Sequence, residues 1–91
     1  MPIIGFLGAG KMGGAILAAL SNAKIAEKLY ACDAYKPRLD ELKKKYKAQP
    51  ASALEVIEKC DVVFLAVKPQ DLEALLKSVA ESKFLSRPLY I

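Results

Sequence analysis

Apolar residues in this chain fall in short runs, separated by stretches in which they recur at helical spacing. Ile3 to Leu7 is an apolar run ending on a glycine cluster, and it reads as a buried strand. Met12, Ile16, Ala19, Leu20 and Ala23 then follow a helical period with one inward stripe. Leu29 to Cys32 is a second strand candidate, closed by Asp33. Pro37 suits the first position of a second helix, and Leu39, Leu42 and Tyr46 give that helix its apolar stripe. Residues 48–51 are short and ambiguous, with a small third strand as the expectation. Ser52-Ala-Leu-Glu55 matches a capping box, after which Ala53, Val56, Ile57 and Cys60 face inward over a short helix. Val62 to Val67 is apolar without alternation, as a strand covered on both faces should be. Lys68-Pro69 ends it, and Leu72, Leu75, Leu76 and Val79 make a last helix. Pro88 to Ile91 begins another strand.

Strands alternating with helices at this pace predict an α/β fold: a doubly wound parallel sheet with right-handed crossovers. The 91 residues fit one domain with a modest core, and 54% hydrophobic residues argue against disorder. A strand is a poor place for a domain to finish, so the expectation is an N-terminal part of a longer protein, truncated before a further domain. No apolar run approaches the ~20 residues of a membrane helix. Met1-Pro-Ile-Ile-Gly5 has neither the basic region nor the long apolar stretch of a secretory signal. Two cysteines, Cys32 and Cys60, are too few for a disulfide scaffold, and a reducing cytoplasm is the expected setting. Histidine is absent, which removes histidine-based catalysis and ordinary His/Cys zinc sites, and no metal is expected.

The net charge of +4 is concentrated. Lys36 to Lys47 holds six cations against the two anions Asp40 and Glu41, the whole of the surplus. Such a run reads first as a solvated helix face, and second as attraction for a phosphate-bearing ligand. Nucleic acid is not expected, because only Tyr46 is interleaved and no nucleic-acid motif is present.

Gly8-Ala9-Gly10-Lys11-Met12-Gly13 is G-x-G-x-x-G, placed directly between a predicted strand and a predicted helix. In that context each glycine has a physical task. Gly8 permits the tight turn, Gly10 leaves room for a pyrophosphate against the backbone, and Gly13 lets helix and strand pack closely. The free amides and the positive helix end then hold phosphate. This is the signature of a Rossmann-type dinucleotide-binding domain over residues 1–91, with NAD(P)H as cofactor.

Asp33 lies 20 residues beyond Gly13, at the end of the second strand, where a carboxylate binds the ribose diol and disfavours a 2′-phosphate. Lys36 and Arg38 follow closely and would instead embrace that phosphate, so the two signals conflict; NADH or dual use is the reading, with a plain turn role for Asp33 still open. Ala66-Val67-Lys68-Pro69 falls at the carboxyl end of the strand beside the first, on the ligand crevice, with a simple helix-start loop as the alternative.

At these residues the sequence resembles the pyrroline-5-carboxylate reductases. Ile4 to Leu17 is similar to that family's opening, and Asp61 to Gln70, with its Val-Lys-Pro run, to its second signature. The resemblance covers the whole chain but only about the first third of a usual member. It implies reduction of 1-pyrroline-5-carboxylate to proline with NADPH or NADH. It implies that Leu7, Gly8, Ala9, Gly10, Lys11 and Met12 cradle pyrophosphate, that Ala66, Val67, Lys68 and Pro69 line the nicotinamide side, and that Ser52 sits near the adenosine ribose. Asp33 stands where NADP-preferring members carry a small hydroxyl residue, which puts the usual NADPH preference in question. The resemblance also implies a helical C-terminal domain that forms the dimer and supplies the substrate-binding groups. The 91 residues offer no convincing catalytic acid, so turnover is not expected from them alone, and the imino-acid substrate is expected only with that domain. A homo-oligomer is expected. The alternatives are another small Rossmann reductase of the β-hydroxyacid dehydrogenase type and a non-catalytic nucleotide-binding module.

Overall fold

A computed structural model describes residues 1–91 and gives five strands and four helices in strict alternation. They are β1 (Ile3–Leu7), α1 (Lys11–Ala23), β2 (Lys28–Cys32), α2 (Lys36–Tyr46), β3 (Gln49–Pro50), α3 (Ala53–Lys59), β4 (Val62–Leu65), α4 (Pro69–Val79) and β5 (Leu89–Tyr90). All strand pairs are parallel, in the order β3-β2-β1-β4-β5. This is the α/β Rossmann-type sheet that the alternation predicts, and its five strands put β1 at the centre.

The central position explains the composition of β1. Side chains alternate across a strand, so Ile4 and Phe6 enter one core layer and Leu7 the other. The first layer adds Leu17 of α1, Leu42 of α2, and Leu29 and Ala31 of β2. Phe6 stacks on Phe64 of β4 with ring centroids 4.9 Å apart. The second layer joins Val56 and Ile57 of α3, Val63 of β4 and Val79 of α4, with Cys60 behind them. Gly5 faces α3, where a Cβ would lie 2.5 Å from Cys60 Sγ and 2.6 Å from Val56 Cγ1. Glycine here lets α3 rest directly on the sheet.

Local signals account for the helix boundaries. The capping box forms as the sequence predicts: Glu55 N–H donates to Ser52 Oγ at 3.2 Å and Ser52 N–H to Glu55 Oε1 at 3.1 Å. At the other end of α3, Arg87 Nη2 donates to the carbonyls of Ile57, Glu58 and Cys60 at 2.8–2.9 Å, satisfying groups the helix leaves without partners. Helices α1 and α2 end on Lys24 and Lys47, both left-handed, with φ of 55° and 59°.

Four expectations need correction. Pro37 occupies the second helical position, because Tyr35 caps α2 and Lys36 begins it. On α1 the buried residues are Gly13, Gly14 and Leu17, and Ile16 and Leu20 pack partly buried against the core as expected, but Met12 is 76% exposed and Ala19 and Ala23 are exposed. The cause is the close approach of Gly13 to Gly8 and Ala66, which sets the helix's rotation and leaves Met12 exposed. Of the apolar residues that mark α4, Val79 is the fully buried one, whereas Leu76 is exposed. Strand β4 stops at Leu65, not Val67, because the backbone turns away after Ala66 N–H donates to Leu7 O. No helix is long and apolar enough to cross a membrane.

Candidate functional site

The carboxyl ends of β1, β2 and β4 converge on the glycine segment. Gly8 has φ of +94°, a conformation L side chains rarely adopt, and donates its N–H to Cys32 O at 2.7 Å. A Cβ there would lie 2.7 Å from the carbonyl carbon and oxygen of Ala66 and 2.8 Å from Val67 Cγ1. A Cβ on Gly13 would lie 2.9 Å from Gly8 O and 3.0 Å from Ala66 Cβ. Gly8 and Gly13 are thus required by the protein's own packing, as their places in the motif predict.

Gly10 is different. A Cβ added there meets nothing within 4 Å, and its φ of −69° suits any residue. No side chain caps α1. The first-turn amides therefore have no acceptor within the helix and point, with the positive end of its dipole, into open space.

Beside this loop lies a shallow cleft of about 310 Å³ lined by Ala9, Gly10, Lys11, Asp33, Tyr35 and Arg38. Asp33 uses both carboxylate oxygens on the backbone. Oδ2 accepts from Ala9 N–H at 2.8 Å and Oδ1 from Tyr35 N–H at 2.9 Å. The second contact is the turn role left open by the sequence; the first ties β2 to the glycine loop. Each oxygen keeps further acceptor capacity and Asp33 lines the cleft, so the carboxylate can still accept from a diol. Arg38 Nε donates to Ala9 O at 2.8 Å, Nη2 to Gly10 O at 3.1 Å and Nη1 to Glu41 Oε1 at 2.7 Å. The Arg38 hydrogen bond, with Lys45 nearby, holds the exposed Glu41 carboxyl below its ordinary value.

The remaining candidates divide into two groups. Leu7 and Ala9 are fully buried beside the loop, and Ala66 and Val67 pack against Gly8. Lys11 and Met12 are exposed on the first turn of α1. Lys68 caps α4 and Pro69 starts it, both exposed at the same end of the sheet. Ser52 stands at that end too, but its hydroxyl is committed to the capping box and it does not line the cleft. Lys36 is exposed and lies outside the cleft, whereas Arg38 lines it. The contacts of Arg38 with the loop, the place of Tyr35 in the cleft and the role of Gly14 were not read from the sequence, since only the fold brings α2 onto α1. A larger concavity of about 550 Å³ lies at the opposite end of the sheet, among Lys24, Lys28, Lys47 and Lys59. Helices α1 and α2 end there, so their negative dipole ends oppose an anionic ligand despite those lysines.

Comparison with known proteins agrees with this geometry. The profile of the family described as NADP oxidoreductase coenzyme F420-dependent matches residues 3–91. A pyrroline-5-carboxylate reductase of Methanosarcina acetivorans is 39% identical over 79 residues, covering 84% of this chain and 29% of that protein. The pyrroline carboxylate reductase of Plasmodium falciparum, solved with NADP bound, superposes with a TM-score of 0.76 at 28% identity, over 98% of this chain and 32% of that one. The 1-pyrroline-5-carboxylate reductase of Streptococcus pyogenes gives 0.67 at 32% identity, over 85% and 29%. The chain therefore spans about a third of the length of these relatives. With a profile match across nearly every residue and a glycine loop built as that fold requires, the chain belongs to the family described as NADP oxidoreductase coenzyme F420-dependent.

Proposed function

We propose that this chain is the NAD(P)H-binding domain of a pyrroline-5-carboxylate reductase, the enzyme that reduces 1-pyrroline-5-carboxylate to L-proline. The strongest support is Gly10: it caps α1, a Cβ there would meet no protein atom within 4 Å, and the absent side chain leaves the helix N-terminus open to the approach of an outside group. A pyrophosphate set against Gly10, Lys11 and Met12 would take the amides that α1 leaves unpartnered. Asp33 and Tyr35 would flank the adenosine ribose, Ala66, Val67, Lys68 and Pro69 would line the nicotinamide side, and Ser52 would stand beyond the ribose. The bound cofactor supplies the hydride; the residues here bind it, orient it and pack the loop beneath it. Groups that hold the imine and deliver a proton are assigned to the part of the relatives' length that this match does not reach. A sequence with only two cysteines, too few for a disulfide scaffold, suits a reducing, cytoplasmic setting.

The test is titration of NADH and NADPH into the 91-residue chain and its Gly10→Ala variant. Because Gly10 is the N-cap of α1, where glycine is preferred to alanine, the variant should stay folded but unfold at a slightly lower temperature. Its affinity for both cofactors should fall about tenfold or more, since the Cβ occupies the phosphate approach. Absence of binding by the parent chain, or full affinity in the variant, would overturn the proposal.

A further inference from the structure

Arg38 reaches from α2 across to the glycine loop and donates to two consecutive carbonyls, Ala9 O and Gly10 O, while Glu41 holds its third nitrogen. Its path runs over Gly14. A Cβ on Gly14 would lie 2.6 Å from Arg38 Nη2 and 3.2 Å from Cζ. Gly14 is outside the six-residue motif, and it sits buried inside a helix, where glycine costs about 1 kcal/mol relative to alanine. Its use here is to admit the guanidinium. A planar fork of fixed N–H donors can hold two adjacent carbonyls at once, which an ammonium cannot do with the same geometry.

On the reading of this loop as a dinucleotide site, we infer that Arg38 is its positioning residue, and that Gly14 is the notch through which it acts. By turning the Ala9 and Gly10 carbonyls toward α2, Arg38 fixes the peptide planes on the far side of the loop, so the amides that follow face the phosphate. Asp33 completes the arrangement by taking the Ala9 N–H. Arg38 acts through the loop on the pyrophosphate, a part common to both cofactors.

The experiment compares Arg38→Ala, Arg38→Lys and Gly14→Ala in the 91-residue chain with two readouts. The first, without cofactor, is the amide NMR shifts and hydrogen exchange of Gly8–Gly13. All three variants should disturb these amides while those of β1 and β4 keep their shifts. The second is titration with NADH and NADPH. Arg38→Ala and Gly14→Ala should weaken both cofactors by the same factor, about ten- to a hundredfold. Arg38→Lys should restore little, because the fork is lost while the charge is kept. A loss confined to NADPH would show direct contact with a 2′-phosphate and overturn the inference. Unchanged loop amides would overturn it as well, and that readout stands even if the parent chain binds neither cofactor, an outcome that counts against the proposed function alone. Should Arg38→Ala not fold, Gly14→Ala and Arg38→Lys decide the matter by the same readouts.

Discussion

Asp33 and Arg38 hold the two sides of one residue: Asp33 Oδ2 accepts the Ala9 N–H and Arg38 Nε donates to the Ala9 carbonyl, both at 2.8 Å. One partner comes from the end of β2 and the other from α2, so the conformation of the glycine loop is set from outside its own sequence. The opposite charges of the two side chains also meet at the rim of a single cleft. A ribose carrying free hydroxyls and one carrying a phosphate would meet these charges very differently.

That difference gives a prediction for Asp33→Ser. Removing the carboxylate removes its repulsion of a 2′-phosphate, and serine keeps a single oxygen to accept from one of the two amides. The ratio of NADPH to NADH affinity should rise about tenfold, equivalent to ~1.4 kcal/mol. Absolute affinity for NADH should fall, since both the proposed diol contact and the hold on Ala9 are weakened. Paired titrations of the two cofactors measure this, and an unchanged ratio would leave Asp33 with its backbone contacts alone.

Gly5→Ala tests the core rather than the cleft. The added methyl would sit 2.5 Å from Cys60 Sγ and 2.6 Å from Val56 Cγ1, both in fully buried residues that cannot swing away. Overpacking of this kind costs about 1–3 kcal/mol. Thermal unfolding should show the loss, and the double variant with Cys60→Ala should recover part of it. Full stability in Gly5→Ala would mean that α3 is free to move off the sheet.

Much of this architecture was legible in the chain because its signals are local. The apolar run Ile3–Leu7, the G-x-G-x-x-G segment and the Ser52–Glu55 box each declare a boundary within a few residues, and the structure places all three where they were expected. The phase of α1 was partly legible: Ile16 and Leu20 do pack on the core, but Met12, as apolar as they are, is exposed because its neighbour Gly13 is the residue set against Gly8 and Ala66. Arg38 was readable as a cation near the ribose but not as a donor to Ala9 and Gly10, since 28 and 29 residues separate the partners and only the fold closes that distance. Gly14 carries no local sign of its contact with Arg38 for the same reason.

The Cys60 thiol should respond to alkali in a defined way. Burial, reinforced by the Asp61 charge, pushes the Cys60 thiol from 9.0 up to about 11. A group whose value is raised by folding stabilises the native state below its unfolded value and loses that contribution as pH climbs through the folded one. Stability should therefore decline between about pH 9 and 11, and Cys60→Ala should flatten that decline. At pH 8 a thiol reagent should modify Cys60 only as fast as the chain opens; rapid native-state labelling would contradict its burial.

Acid should loosen α3 by the opposite sign. Hydrogen bonding with Ser52, backbone first, holds the Glu55 carboxyl below its ordinary value of 4.5. A value lowered by folding stabilises the native state above the unfolded value, and the contribution disappears as pH falls through the lowered one. The capping box should thus be at full strength at neutral pH and weaken progressively below about pH 4.5. Glu55→Gln can still accept from Ser52 N–H but lacks the charge that favours a helix N-terminus. The parent chain should be more stable than this variant at pH 7, and the gap should close on acidification. Glu41 titrates in the same direction through Arg38, so the comparison is best repeated in a Glu41→Gln background. Denaturant unfolding at pH 7, 5 and 3 measures the gap directly. A difference that stayed constant across that range would mean the Glu55 charge contributes nothing to α3, and that the box works through its hydrogen bonds alone.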